Sequence, residues 1–112
     1  MSEIKDLQEK VANFIAERDW EQFHSPKNIA MSIAIESAEL MEIFQWCTTE
    51  ASLSTELIEN KRAAIEDEVA DIMIYLLSFV NVSKIDLYNA VLKKISRNNE
   101  RFPIEKVKGK FE

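Results

Sequence analysis

The scarcity of chain-breaking residues is the feature that most limits what this chain can fold into. The sequence has one glycine and two prolines among its 112 residues. A sheet of many strands needs many turns, and turns are built mainly from Gly, Pro, Asn and Asp. Few breaks therefore favour long helices. We predict an all-α, antiparallel four-helix bundle that forms one domain over residues 1–112.

Apolar residues recur at three- and four-residue steps in four segments, a period that is typical of helices. Ser25 followed by Pro26 is a strong helix start, with Ser as the N-cap and Pro at the first helical position. Ser83 followed by Asp86 resembles a capping box at the start of the last helix. The stretch TTEASLSTE is predicted to be a loop, and the tail IEKVKGKFE to be loose. The predicted helices cover about Ser2–Asp19, Pro26–Cys47, Ser54 or Thr55 to Asn81, and Ser83–Glu100.

Charge and hydropathy exclude several classes of function. The net charge is −6 and the chain has no basic patch of the kind that binds duplex nucleic acid. The longest apolar run, Ile72 to Val80, is interrupted only by Ser78 and is far shorter than the ~18 residues of a membrane span. A single cysteine, Cys47, cannot form an internal disulfide. We therefore expect a cytoplasmic protein that binds neither nucleic-acid polymers nor membranes.

Two acidic pairs stand in the middle of the second and third predicted helices. Within each pair the spacing is i, i+3, so both carboxylates point to one face. Spacing alone says little, because 20 acidic residues also produce pairs such as Glu56 and Glu59. The two central pairs differ because apolar residues surround them on the helical wheel. They are Glu36 with Glu39, and Glu68 with Asp71.

Antiparallel packing of the two central helices would bring these four carboxylates to one level. A cluster of ionised, unpaired carboxylates among apolar residues is costly, and mutual repulsion raises some of their pKa values. Mg²⁺ is a natural resolution, since it prefers the oxygen ligands of carboxylates and substrate phosphates. The sequence therefore predicts a magnesium site between these helices.

Other metal and nucleotide motifs are excluded by composition. Di-iron bundles need an acid-x-x-His motif on each of two helices, and this chain has one histidine, His24. One Cys and one His do not make a zinc site. A single glycine cannot supply a phosphate-binding loop or a dinucleotide fingerprint. If phosphate chemistry occurs, carboxylates and a metal must perform it.

Four motifs together resemble the MazG-like all-α nucleoside triphosphate pyrophosphohydrolases, with the dCTP pyrophosphatase type as the most similar branch. They are RDWEQFHSPKN, ESAELMEIFQW, EDEVADIMIYLL and the closing K-x-x-x-N-x-x-R-F-P. The resemblance extends from about Val11 to Pro103. It implies Mg²⁺-dependent hydrolysis of a (d)NTP, such as dCTP or a modified dCTP, to the monophosphate and pyrophosphate. It also implies a homodimer or homotetramer with pockets built across subunits.

The resemblance assigns roles residue by residue. Glu36, Glu39, Glu68 and Asp71 would be the catalytic metal ligands, with Glu39 or a neighbour orienting the attacking water. A close family type has His where this chain has Val11, at a position that touches the substrate. The implied nucleotide contacts are Trp20, Glu21, Gln22, Phe23, His24, Trp46, Asp71, Lys94 and Asn98, with Arg101 in the same closing motif.

Several alternatives stay open. A sister enzyme of the same architecture could act on dUTP or phosphoribosyl-ATP. A non-enzymatic helical dimer could hold a cation for structural reasons. Taken alone, Trp20 and Trp46 would fit a core or an interface, and Lys94 and Asn98 would fit a solvated helix face.

Overall fold

The structure, a computed structural model, describes residues 2–110, and all regular structure in that range is helical. The all-α fold expected from the sequence is therefore confirmed. Four helices are long, and three are of six residues or fewer. The elements are α1 (Glu3–Glu17), a 3-10 turn (Glu21–Phe23), α2 (Pro26–Phe44), α3 (Thr49–Ser52), α4 (Thr55–Asn60), α5 (Arg62–Ser83), α6 (Leu87–Arg101) and α7 (Ile104–Val107).

Side-chain caps fix where the first two long helices begin. Ser2 Oγ accepts a hydrogen bond from the Lys5 N–H at 3.2 Å, and Ser25 Oγ accepts one from the Asn28 N–H at 3.2 Å. Pro26 occupies the first helical position of α2, where its missing N–H costs nothing. The predicted start of α2 is therefore confirmed.

The connection between α2 and α5 is more ordered than the sequence indicated. Within the stretch predicted to be a loop, Thr48 caps the short helix α3 by accepting from the Ala51 N–H at 3.1 Å. The third predicted helix is broken at Lys61, which closes α4 and opens α5 with φ −110° and ψ 10°. Neither Gly nor Pro lies at this break, and the apolar residues keep their helical spacing across it. The break was therefore not predicted.

The start of the last long helix was predicted wrongly. α5 continues through Ser83 and is closed by Lys84 in the left-handed conformation, with φ 55°. Asp86 is then the N-cap of α6 and accepts from the Asn89 N–H at 3.2 Å. Ser83 and Asp86 therefore do not form a capping box. Ser83 ends α5, and Asp86 starts α6. Beyond α6 the tail forms one further helical turn, α7, while Phe111 and Glu112 lie outside the described residues.

Helix α5 is the centre of the fold. Its most extensive packing is against α2, and it also packs against α1. Val11 and Ile15 of α1 bury against Leu77 of α5. A polar tie reinforces this packing, because Gln8 Nε2 donates to Asn81 Oδ1 and Asn81 Nδ2 donates to the Gln8 carbonyl, both at 3.0 Å.

Helix α6 lies largely outside this three-helix group. It is strongly amphipathic, yet apart from Leu87, which packs against the core, most of its apolar residues are exposed to solvent in the single chain. Tyr88 is 63% exposed, and Val91, Leu92 and Ile95 are about half exposed. None of the helices in residues 2–110 has the length and apolar character that crossing a bilayer requires.

Candidate functional site

Three of the four predicted acids converge where α2 faces α5. Glu36 and Glu39 lie one helical turn apart on α2, and Glu68 lies opposite them on α5. One oxygen from each of the three carboxyl groups lies within 4.8 Å of the others. Glu36 and Glu68 are partly buried and Glu39 is exposed. The three form an open-sided group of oxygen ligands, which we call the acid group.

Two oxygens of the acid group have no hydrogen-bond partner. They are Glu36 Oε2 and Glu68 Oε2, both shielded from solvent. A buried polar atom is normally hydrogen-bonded, because leaving it unpaired costs the desolvation free energy. Unpaired carboxylate oxygens that face a third carboxylate fit a divalent cation, which would satisfy them directly.

The electrostatics of the acid group agree with its geometry. Burial raises the pKa of Glu36 from its ordinary 4.5 to about 7, and the hydrogen bonds that its protonated carboxyl donates to Glu39 and Glu68 and the charges of Glu39 and Asp71 act in the same direction. Burial and the neighbouring acids also raise the pKa of Glu68. The ionised group is therefore unfavourable without a counter-charge, and a bound cation would reverse both shifts.

Asp71 lies beside the acid group but is not one of its three converging carboxylates. It is one turn beyond Glu68 on α5 and is partly buried. Its negative charge contributes to the raised pKa of Glu36 and of Glu68. Its side chain also lines the neighbouring hollow, so Asp71 links the acid group to that hollow.

The hollow next to Asp71 has a volume of about 200 Å³, and half of its lining residues are aromatic. We call it the aromatic hollow. One side of it is α5, and the rest of its lining comes from the end of α1 and from Trp20 and His24, which flank the 3-10 turn. It is lined by Phe14, Ile15, Trp20, His24, Asp71, Ile74, Tyr75 and Ser78.

Trp20 reaches the hollow through a tight reversal after α1. Asp19 adopts a left-handed conformation with φ 54°, and the Trp20 N–H donates to the Ile15 carbonyl at 3.1 Å. The indole ring meets the Phe14 ring edge-on at 5.9 Å, and the Arg18 guanidinium lies 3.8 Å above Phe14. These contacts fix one aromatic wall.

His24 and Tyr75 also line the aromatic hollow. Their rings are stacked, with centroids 6.4 Å apart and planes inclined by 22°. Tyr75, Phe14 and Ser78 were not among the predicted site residues. A signal for Tyr75 existed, because it follows Asp71 by four residues and shares its helix face. Phe14 and Ser78 resembled ordinary packing residues.

Other predicted nucleotide contacts do not line this hollow in the single chain. Gln22 Nε2 donates to the Asp19 carbonyl at 2.9 Å, and Phe23 is 61% exposed. Glu21 and His24 have the acid-x-x-His spacing of di-iron bundles, but Glu21 belongs to a 3-10 turn and not to a bundle helix. Trp46 lies just past the end of α2 and is 91% exposed, and Lys94 and Asn98 lie on the outlying α6.

Val11, where a close family type has His, is buried between α1 and α5. It lines an apolar groove there and not the aromatic hollow. A larger hollow of about 670 Å³ lies between the start of α1 and the α5–α6 connection, and it shares no lining residue with the acid group or the aromatic hollow.

Known proteins with similar sequences match almost the whole chain. The sequence profile of the MazG-like family matches residues 31–110. dCTP pyrophosphatase 1 of Bos taurus is 39% identical over 106 residues, which are 95% of this chain and 63% of that protein. dCTP pyrophosphatase 1 of Homo sapiens is 39% identical over 100 residues, which are 89% of this chain and 59% of that protein. The chain thus spans about three fifths of the length of these curated relatives.

A solved structure has a similar fold over a similar length. The crystal structure of a pyrophosphatase from Archaeoglobus fulgidus DSM 4304 superposes with a TM-score of 0.85 at 36% sequence identity. The match covers 92% of this chain and 94% of that one. The arrangement of helices around the acid group is therefore shared with a protein of known structure.

Proposed function

Because this chain belongs to the MazG-like family, we propose that it is a nucleoside triphosphate pyrophosphohydrolase. It would cleave a (d)NTP to the monophosphate and pyrophosphate. The observation that carries the proposal is the pair of buried, unpartnered carboxylate oxygens, Glu36 Oε2 and Glu68 Oε2, beside an aromatic hollow of base-like dimensions. The names of the relatives support the same reaction class.

The residues fit a magnesium ion. Glu36, Glu39 and Glu68 would hold it, with Asp71 completing the set from the side of the hollow. When bound, the cation supplies positive charge against the triphosphate and polarises the bond to be broken. The protein contributes two helices that hold the carboxylates in fixed directions, so little reorganisation is needed at the moment of reaction.

Glu39 is suited to handle the attacking water. It is the exposed member of the acid group, so solvent reaches its carboxylate while Glu36 and Glu68 remain shielded. A carboxylate in that position orients a water for in-line attack on the α-phosphorus and accepts its proton. Pyrophosphate then leaves on the opposite side.

The aromatic hollow would bind the base. Stacking on an aromatic ring contributes about 1–3 kcal/mol per base and tolerates different bases. Trp20 and Tyr75 provide such rings in the lining of the hollow. The names of the curated relatives favour dCTP or a modified dCTP as substrate. The other contacts implied by resemblance, Glu21, Gln22, Phe23, Trp46, Lys94 and Asn98, stay predictions.

We also propose that the active species is a homodimer or a homotetramer. The radius of gyration over Cα atoms is 17.4 Å, against about 13 Å for a compact domain of this length. Exposed apolar residues on α2, such as Met31, Ile35 and Met41, accompany those of α6. A second copy would cover these faces and could bring Lys94 and Asn98 of its α6 to the nucleotide. Light scattering after gel filtration measures the mass directly. The single domain over residues 1–112 and the cytoplasmic location likewise stay predictions.

A substrate panel tests the activity. The purified protein is incubated with Mg²⁺ and each of the canonical NTPs and dNTPs, dUTP and phosphoribosyl-ATP included, and the products are identified. Monophosphate plus pyrophosphate supports the proposal, and the ranking identifies the substrate. Diphosphate plus orthophosphate contradicts it. Thermal stabilisation by Mg²⁺ with no turnover would favour a structural cation site in a helical dimer instead.

A further inference from the structure

Arg18 is a charged residue that the proposed reaction does not use, although it lies against two residues of the aromatic hollow. Its guanidinium carbon lies 3.8 Å from the centre of the Phe14 ring and 6.0 Å from that of the Trp20 ring. Both rings line the hollow, whereas Arg18 does not. The guanidinium forms no ion pair with a carboxylate of residues 2–110, although the chain has 20 acidic residues. Its charge is therefore directed at aromatic rings and not at an acid.

The end of α1 explains why Arg18 is held in this position. In a continuing helix the Phe14 carbonyl would accept the backbone N–H of Arg18. At this helix end, that N–H donates instead to the Ile15 carbonyl at 3.3 Å. The Arg18 side chain supplies the replacement donor, since its Nη1 donates to the Phe14 carbonyl at 3.0 Å. One residue thus contacts Phe14 at both its ring and its backbone.

The same helix end places Trp20 against Phe14. Asp19 adopts the left-handed conformation, and the N–H groups of Asp19 and Trp20 donate back to carbonyls of α1 at 3.0 and 3.1 Å. This is the Schellman arrangement, in which the residue after the left-handed position commonly packs on the last turns of the helix. Here the Trp20 ring meets the Phe14 ring edge-on at 5.9 Å. Arg18, Phe14 and Trp20 form one set of contacts, which we call the Arg18 cluster.

The two rings of the Arg18 cluster receive little support from the protein core. Phe14 is 46% exposed and Trp20 is 42% exposed. A left-handed conformation at a residue other than glycine, as at Asp19, is also unfavourable for the turn that carries Trp20. A guanidinium is suited to hold such rings, because its planar fork can lie flat on an aromatic face and donate hydrogen bonds at the same time.

We propose that Arg18 is a positioning residue, which holds Phe14 and Trp20 in the orientation that binds the base of the nucleotide. This inference rests on the proposed function, since it concerns how the base site is formed before the nucleotide arrives. Side chains that are fixed in advance need not be ordered during binding, and this lowers the free-energy cost of association. Because the base takes no part in the bond cleavage, loss of the Arg18 cluster should weaken nucleotide binding without slowing the chemical step.

Steady-state kinetics with dCTP and Mg²⁺ test the role of Arg18. Arg18→Met keeps a long side chain without the charge, and it should raise KM about fivefold, the effect of losing one cation–π contact at an exposed site. Arg18→Lys should raise KM nearly as much, because an ammonium cannot lie flat on the Phe14 ring and donate to its carbonyl at once. In both variants kcat should stay within about twofold of its original value.

The matched control is Arg62→Met, which removes an exposed arginine of α5 that pairs with Glu59. Its KM should equal that of the unmodified protein. If Arg18→Lys also has the KM of the unmodified protein, Arg18 acts through its charge alone and the positioning role is overturned. An unchanged KM in Arg18→Met overturns it as well.

A double-mutant cycle distinguishes support through Phe14 from a direct contact between Arg18 and the nucleotide. Phe14→Leu removes the ring that the guanidinium covers, so it should raise KM by itself. Adding Arg18→Met to Phe14→Leu should then have no further effect, because the two residues act as one unit. Fully additive effects on KM would show that Arg18 acts independently of Phe14 and would overturn the proposal.

Fluorine NMR supplies a readout that does not depend on turnover. The chain has two tryptophans, so protein labelled with fluorotryptophan gives two signals, and Trp46→Phe identifies that of Trp20. Both Arg18 variants should enlarge the difference in the Trp20 signal between H2O and D2O, since the ring becomes more exposed. Arg62→Met should leave that difference as it is. An unchanged Trp20 signal in both Arg18 variants overturns the positioning role.

The failure of the proposed function would look different. In that case the unmodified protein releases no pyrophosphate from any nucleotide, with Arg18 in place. The positioning role is then judged from the fluorine signal alone. A Trp20 ring that becomes more exposed in Arg18→Lys, which keeps the charge, supports it, and an unchanged ring overturns it.

Discussion

Acidic residues with similar helical spacing have opposite surroundings in two regions of this molecule. On the surface, Glu59 pairs with Arg62 at 2.6 Å and Asp6 pairs with Lys10 at 2.7 Å, and all four side chains are about half exposed or more. The Arg62 hydrogen bond and charge hold the pKa of Glu59 below its ordinary value. Between α2 and α5, by contrast, burial raises the pKa of Glu36 and leaves its Oε2 unpartnered.

The difference teaches that partners and burial, not spacing, distinguish a site from a solvated face. A surface acid with a basic neighbour is satisfied by the chain and by water, and such pairs contribute little to stability. The acid group has no basic residue among the groups that shift its pKa values. A cation from outside the chain would therefore be needed to neutralise the charge of the acid group.

The largest expected effect comes from removing a carboxylate at the acid group. Glu68→Gln should lower pyrophosphate release by about 10²–10⁴-fold, because an amide cannot supply the anionic oxygen that the reaction requires. Glu39→Gln and Asp71→Asn should act in the same direction. The matched control is Glu59→Gln on the surface, with activity expected within about twofold of the unmodified protein, since exposed pairs matter little. Equal activity of Glu68→Gln and Glu59→Gln would erase the distinction between the two regions.

A second effect concerns stability without metal. Glu36→Gln removes a carboxylate that is partly buried and unpaired, so the metal-free variant should melt at a higher temperature than the unmodified protein at pH 8, by several degrees. Mg²⁺ should stabilise the unmodified protein and leave Glu36→Gln nearly unchanged. Scanning calorimetry with and without Mg²⁺ measures both shifts. A lower melting temperature for metal-free Glu36→Gln would contradict the electrostatic account.

The pH dependence has a defined sign. The pKa of Glu36 rises from 4.5 to about 7 on folding, so between these values the folded chain holds a proton that the unfolded chain has released. The metal-free protein should therefore lose stability as pH rises from about 4.5 to 7, and Glu36→Gln should lose less. Denaturant titrations at several pH values record the trend. The account is refuted if the stability of the unmodified protein, measured relative to that of Glu36→Gln, rises over this pH window.

The smallest effect is expected at the surface pair. Arg62→Ala breaks the contact with Glu59, but both side chains are more than half exposed and remain hydrated. We expect no measurable change in melting temperature at physiological salt, because exposed ion pairs are screened. A change as large as that of Glu36→Gln would show that the surface pair is not the neutral reference used above.

Local signals made the helices and the acid group predictable. Serine caps, the Pro at the start of α2 and the apolar period are read over a few residues, and they place α1, α2 and the central part of α5 correctly. The acids were found because their apolar neighbours on the wheel conflict with their charge. Lys61 and Lys84 were missed because their conformations follow from how the chain turns between packed helices, and neither position carries a Gly or Pro.

The aromatic hollow could not be assembled from the sequence in full. Trp20 and His24 were identified by resemblance, but Phe14, Tyr75 and Ser78 join them only through the packing of α1 on α5. That packing depends on side chains far apart in sequence, which a helical period does not reveal. The exposure of α6 could not be predicted either. Its apolar residues have the spacing of any packed helix, and only the position of α6 in the fold leaves them exposed.

The tie between Gln8 and Asn81 has a consequence for how the protein is made. It joins residues 73 positions apart, so α1 leaves the ribosome long before its partner on α5 has been synthesised. A 15-residue helix is marginal in water on its own, and until α5 is made the residues of α1 that it buries, Val11 and Ile15, stay uncovered. The aromatic hollow is consequently among the last parts of the molecule to form. Slow translation of the segment between α1 and α5 would lengthen the time during which the nascent chain is open to aggregation or to chaperone binding.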